Sequence, residues 1–112
     1  MSELAQLHCV MVTPRTARLD PKEIDRLLPQ IHDWQIVEKE NVPRLEKVVR
    51  FKDFNEALIF TNRVGQLADV ENHHPTLLTE WGKVTVSWWT HAIHGLHLND
   101  FIMAAKTNDL LR

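Results

Sequence analysis

Apolar side chains recur at helical spacing over Phe54, Ala57, Leu58, Val64 and Ala68, with Thr61 and Gly65 continuing the same stripe. Asp53-Phe54-Asn55-Glu56 forms a capping box ahead of it, so the spacing predicts a long helix running to about Val70. Gly65 on the stripe predicts close packing against a sheet. A shorter helix is predicted after Asp20-Pro21-Lys22-Glu23, where Asp20 suits the N-cap and Pro21 the first helical position. Its apolar positions are Ile24, Leu27, Leu28 and Ile31, and Pro29 bends or ends it early. Elsewhere the pattern alternates. Trp34–Glu38 suits a short strand, the segment Lys39–Arg44 with Asn41 and Pro43 suits a turn, and Leu45–Phe51 suits a second strand. Leu45, Val49 and Phe51 share one face of that strand, with Lys47 the exception. Thr76–Trp81 and Lys83–His91 form a second hairpin around Gly82, in which Val84, Val86 and Trp88 alternate with Thr85, Ser87, Trp89 and His91. Beyond Gly95 a last helix is predicted to begin near His97 to Asn99, with Phe101, Ile102 and Ala105 on its apolar side.

The predicted order is α-β-β-α-β-β-α. Hairpins, rather than alternating strands and helices, imply an antiparallel sheet. The expected fold class is α+β: two layers, a four-stranded antiparallel sheet with helices packed on one face. Residues 1–19 have no clear periodicity and suit an extended or loosely ordered arm; residues 20–112 form the single domain.

Composition narrows the function classes. The chain has 112 residues and a formal charge of −2, which argues against a broad basic face for nucleic acid. One cysteine, Cys9, excludes an internal disulfide. No apolar run is long enough for a membrane helix, and the N-terminus lacks the pattern of a secretory signal, so the expected compartment is the cytoplasm. Seven histidines and four tryptophans stand beside no tyrosine, and five of the histidines fall between His73 and His97.

That cluster is where the chemistry is sought. His73-His74-Pro75 joins the long helix to the third strand, and antiparallel pairing of the second hairpin returns His91 to the same end. Imidazole gives and takes protons near neutral pH, so two or three around one pocket suit a reaction needing an acid and a base together. No serine or cysteine nucleophile and no glycine-rich phosphate loop accompanies them. Proton transfer without a covalent intermediate is the simplest reading. The rival is zinc on His73, His74 and His91, but adjacent histidines lack the i, i+4 spacing that presents two ligands to one ion, and no metal is assigned. His8 and His32 suit surface positions. His94 and His97 suit exposed or helix-capping ones, with Asp100 three residues after His97. Trp34 and Trp88 suit the core. Trp81 and Trp89 suit either a pocket for a flat heteroaromatic ligand or packing.

His73-His74-Pro75, Trp81 seven residues after His74, His91 ten residues further, and Asp100 together resemble the signature of the pterin-4a-carbinolamine dehydratases. The segments Leu78–Val86, Gly95-Leu96 and Asn99–Ala105 are similar to the bacterial branch of that family. The likeness covers roughly Asp20 to Asn108 and is close from Phe51 onward. It implies a four-stranded antiparallel sheet with helices on one side, in homodimers that extend the sheet or homotetramers formed through helix packing. It also implies a reaction: loss of the C4a hydroxyl and the N5 proton of 4a-hydroxytetrahydropterin, giving quinonoid dihydropterin and water. The pterin is then the substrate, no cofactor is needed, and the functional partner is an aromatic amino-acid hydroxylase such as phenylalanine hydroxylase, which releases that pterin.

Carried over to these residues, the resemblance makes His73 the acid that helps the hydroxyl leave and His91 the base that takes the N5 proton, with acid and base exchangeable. His74 holds the pterin or serves as acid for the opposite stereoisomer. Asn72, Trp89, Thr90 and Ala92 complete the pterin site. Asp69 orients the first imidazole or ends the helix, Asp100 belongs to the pattern or caps a helix, and Pro75 and Trp81 support the site. Two positions depart from the pattern: Asn72 stands where some relatives carry an acid, and Trp81 where others have tyrosine. Other members of the family act without catalysis, as dimerisation or assembly cofactors, and that is the alternative function.

Overall fold

Strict alternation in the last strand divides the molecule into an inside and an outside. In a computed structural model that describes residues 3–111, Val84, Val86 and Trp88 are fully buried on strand β4 (Lys83–Trp88). They continue across the sheet into Leu45, which pairs with Trp88 and is equally buried. Residues of the opposite row, such as Val48 and Leu78, are exposed. Each large side chain on the inner row contributes about 1.5–3 kcal/mol of burial, which fixes the register, since a slip of one residue would turn the whole row outward.

The sheet contains β1 (Gln35–Lys39), β2 (Val42–Arg50), β3 (Thr76–Glu80) and β4, all antiparallel, in the order β1-β2-β4-β3. Among the described residues three α-helices accompany it: α1 (Pro21–Leu27), α2 (Phe54–Glu71) and α3 (Leu98–Asp109). Helix α2 packs on β3 and β4, and α3 on β2 and β4. The architecture is the expected α+β arrangement in the expected order. Among the described residues no helix is long and apolar enough to cross a membrane.

Several expectations need correction. β2 starts at Val42, because Glu40 and Asn41 both adopt left-handed backbone (φ 54 and 64) and make a two-residue hairpin turn. Pro43 is tolerated inside β2 because it pairs only with Glu38 of β1, beyond the end of the β4 ladder. β4 ends at Trp88, so His91 does not close a strand; it opens a short 3-10 turn, His91–Ile93. Thr90 and Gly95 bridge the base of that turn. No neighbouring element comes within 4 Å of where a Cβ on Gly65 would stand, so it marks open space beside α2 and not tight packing. Lys47, the exception on the inner face, donates from Nζ to Asn108 Oδ1 at 2.8 Å and to the carbonyl of His32 at 3.5 Å. Burial lowers its pKa, and the Asp33 carboxylate opposes that.

The N-terminal arm, for which periodicity gave no element, is docked on the rest of the domain. Its first two residues lie outside the described ones, as does Arg112. Leu4, in a 3-10 turn Leu4–Gln6 packed on α3, is buried. Lys106 Nζ donates to the Ala5 carbonyl at 2.8 Å, the Leu19 N–H donates to Leu96 at 2.9 Å, and Arg18 Nε donates to Ile93 at 2.6 Å. Backbone polar groups without a ladder are satisfied here by side chains and by backbone distant in sequence, which periodicity cannot foresee.

Candidate active site

The end of α2 decides where the two adjacent histidines go. Asn72 adopts left-handed backbone (φ 52, ψ 42), and the His73 N–H returns to the Ala68 carbonyl at 3.1 Å. This C-terminal motif reverses the chain, as asparagine permits at small cost. His73 is thereby turned into the interior, 8% exposed, while His74 stays outside.

His73 lies flat against Trp88, with ring centroids 5.8 Å apart and planes 9° from parallel. Its Nε2 is 2.7 Å from Asp100 Oδ1. Asp100 is fully buried, and its Oδ2 accepts from Thr90 Oγ at 2.8 Å and from the His97 N–H at 3.0 Å. A carboxylate only accepts, so the His73 ring donates from Nε2 and leaves Nδ1 as its free proton site. Asp100 caps α3, one of the two readings given to it, and it also holds an imidazole. His97 completes the capping box by accepting the Asn99 N–H on Nδ1 at 3.0 Å. Burial lowers the pKa of His97 despite the Asp100 carboxylate, and His73 lowers it further.

His74 pairs through Nε2 with Asp69 Oδ1 at 2.9 Å on the outside of the same junction. Asp69 therefore serves the second imidazole and not the first, a correction that follows from the reversal at Asn72. His74 and the half-buried Pro75 line a shallow cleft with Asp69, Gly65 and Thr61. His91 is exposed, and its ring lies 4.4 Å from that of Trp89, which is buried. The Arg44 guanidinium covers Trp89 at 3.9 Å. Ala92 is half-buried in the same turn.

The pairing Thr76↔Ser87, carried past the end of the ladder, sets His73 opposite Thr90, and the shared Asp100 carboxylate ties them. The antiparallel logic thus gathers His73, His74, Thr90 and His91 at one end of the sheet. It does not point their rings at one another: among the described residues no hydrogen bond or ring contact joins the three imidazoles. Nor do three His, Cys, Asp or Glu side chains converge there in a metal-holding group, as the zinc alternative would need.

Two expected site residues stand differently, the supporting Trp81 and the pterin-site Thr90. Trp81 sits at the other end of β3, beside Gly82 and 73% exposed, with the whole length of that strand between it and the histidines. Thr90 has no backbone group to spare for a ligand: its N–H donates to Gly95, and its carbonyl accepts from Ile93 and Gly95. Its part is to hold Asp100.

Periodicity gave no sign of a second cleft, which His73 borders. A cleft of about 310 Å³ is bordered by Asn72 and His73 on one side and by arm residues 9–12 on the other. Glu71 and Asn99 stand at its base. Burial raises the Glu71 carboxyl, but the Cys9 N–H, His8 and Lys106 together hold it below the usual carboxylate value. Burial, reinforced by the carboxylates of Glu71 and Asp100, pushes the Cys9 thiol up to about 12.

Comparison with known proteins gives a consistent result. Residues 17–110 match the model of the family described as pterin 4 alpha carbinolamine dehydratase. A protein of Microcystis aeruginosa, named as a candidate pterin-4-alpha-carbinolamine dehydratase, is 53% identical over 112 residues, covering 100% of this chain and 97% of that one. A protein of Chlorobaculum tepidum with the same name is 54% identical over 111 residues, covering 99% of this chain and 100% of its own. Among solved structures, a transcriptional coactivator/pterin dehydratase from Brucella melitensis superposes with a TM-score of 0.76 at 29% identity, covering 84% of this chain and 98% of that one.

Proposed function

Because the chain belongs to the pterin 4 alpha carbinolamine dehydratase family, we propose that it removes water from a 4a-hydroxytetrahydropterin by histidine acid/base catalysis. The C4a–O bond breaks, the hydroxyl leaves as water with a proton from the protein, and N5 loses its proton to the protein. The product is quinonoid dihydropterin, and proton count is conserved over the cycle.

The observation that carries this reading is the His73–Asp100 pair at 2.7 Å beside the turn that bears His91. With Nε2 committed to the carboxylate, His73 is fixed in one tautomer and presents Nδ1 for exchange. Asp100 also offsets the ring's positive charge whenever Nδ1 is protonated. His73 then acts as the acid toward the leaving hydroxyl, because expelling water needs less driving force than expelling hydroxide. His91, held against Trp89, acts as the base at N5. His74 holds the pterin from the opposite side of the junction, with Asn72, Trp89 and Ala92 around it. The presence of all three histidines favours catalysis over a purely structural cofactor role.

The same reading places the protein downstream of an aromatic amino-acid hydroxylase, returning its pterin for reduction. It also extends to a homodimer or homotetramer, since β1 and β3 are sheet edges.

The direct test is the dehydration rate of enzymatically generated 4a-hydroxytetrahydropterin. Wild type should accelerate it, and His73→Ala or His91→Ala should each lose about 100-fold or more, the scale of general acid–base catalysis. Folded wild type that gives no acceleration overturns the reading.

A further inference from the structure

We infer that arm residues Cys9–Val12 form the second wall of the substrate cleft, and that Asn99 is the positioning residue that latches them there. The inference rests on the pterin reading and adds to it a specificity element outside the 17–110 segment that the family model matches.

The latch is built from buried groups. Asn99 is 2% exposed, and its amide uses both ends on one arm residue: Oδ1 accepts the Val10 N–H at 3.0 Å, and Nδ2 donates to the Val10 carbonyl at 2.8 Å. One side chain thus supplies what a neighbouring strand would supply. The preceding N–H, of Cys9, donates to Glu71 Oε1 at 2.9 Å, and Glu71 Oε2 is held in turn by His8 at 2.7 Å. Asn99 immediately precedes Asp100, and Glu71 stands two residues before His73. The same two helix ends that deliver the His73–Asp100 pair therefore also set the arm against it.

What the latch presents is unusual for an arm held so closely. Val10 is 62% and Met11 92% exposed, and both border the cleft with His73. Large apolar side chains left in water beside an imidazole gain contact when a flat heteroaromatic ring enters, and about 310 Å³ lies within the usual range for small-molecule sites. The arm supplies apolar contact, and His73 supplies the proton chemistry.

The test uses the full chain with Asn99→Ala, which unlatches the arm, and Met11→Glu, which alters its exposed face without touching the fold. Steady-state dehydration kinetics and binding of 7,8-dihydrobiopterin as a non-reacting probe are measured alongside thermal melting. Cys9 is the sole cysteine, so its modification by a thiol reagent reports the arm directly. The expected result is a KM and probe Kd raised about 10-fold in both variants with kcat within about 3-fold, the signature of lost binding rather than lost chemistry. The probe should also slow Cys9 modification in wild type, and Asn99→Ala should speed it. If Asn99→Ala does not fold, Met11→Glu and the Cys9 protection decide the matter. A lowered melting temperature with unchanged KM, or no protection of Cys9 while wild type dehydrates normally, overturns the arm assignment and leaves the pterin reading standing. Wild type that neither dehydrates the pterin nor binds the probe overturns both.

Discussion

His73 and His74 are neighbours in the chain, each paired through Nε2 with one aspartate, at 2.7 and 2.9 Å. Little else about them is alike. The side chains of His73 and Asp100 are 9% and 0% exposed, whereas those of His74 and Asp69 are 58% and 82% exposed. In water the second pair gains little, because solvent competes for both groups. Inside, no solvent competes, and the carboxylate needs every one of its donors: His73, Thr90 and the His97 N–H. The same two residue types thus make a rigid network on one side of Asn72 and an adaptable surface pair on the other. The first environment holds an imidazole in one orientation, and the second leaves one open to solvent.

The largest effect expected from breaking this contrast is at Asp100. Asp100→Ala strands three buried donors and should cost about 3–5 kcal/mol, read by chemical denaturation. A loss below about 1 kcal/mol would mean that the network is no more than a surface pair. A smaller effect is expected at its rim. His97→Ala removes the α3 cap and should cost about 1 kcal/mol, whereas His97→Ser should restore it. Because the folded chain holds His97 below its ordinary 6.5, the unfolded chain takes that proton first. The contribution of this group is therefore complete above pH 6.5 and is lost as pH falls from there through its lower folded value. His97→Ser should flatten the stability profile in that window, and an unchanged slope would assign the dependence to another histidine. The smallest effect is at Asp69. Asp69→Ala should change stability by less than about 1 kcal/mol and shrink further in high salt.

Much of the fold was legible because burial imposes a period. Phe54 to Ala68 repeats at helical spacing and forms α2; Val84, Val86 and Trp88 alternate and form the inner row of β4. Capping chemistry was legible for the same local reason: Asp20, Asp53 and His97 each cap the helix that follows. The gathering of His73 and His91 at one sheet end followed from antiparallel pairing. Gly65 misled, since an apolar stripe cannot say whether one gap in it faces a neighbour or a cleft. Asp69 misled because a single left-handed residue, Asn72, exchanged which imidazole it meets.

The sequence by itself determined the elements, their order, the two-layer class and the gathering of histidines at one end of the sheet. Those depend on interactions within a turn or between paired strands, and local spacing records them. Only the tertiary structure decided which histidine is buried, that Asp100 rather than Asp69 orients it, and that residues 9–12 stand across the cleft on Asn99. Those contacts join groups up to 90 residues apart, such as Cys9 and Asn99. They exist because desolvation inside the folded chain leaves each buried donor and acceptor to find its partner wherever the packing has placed one.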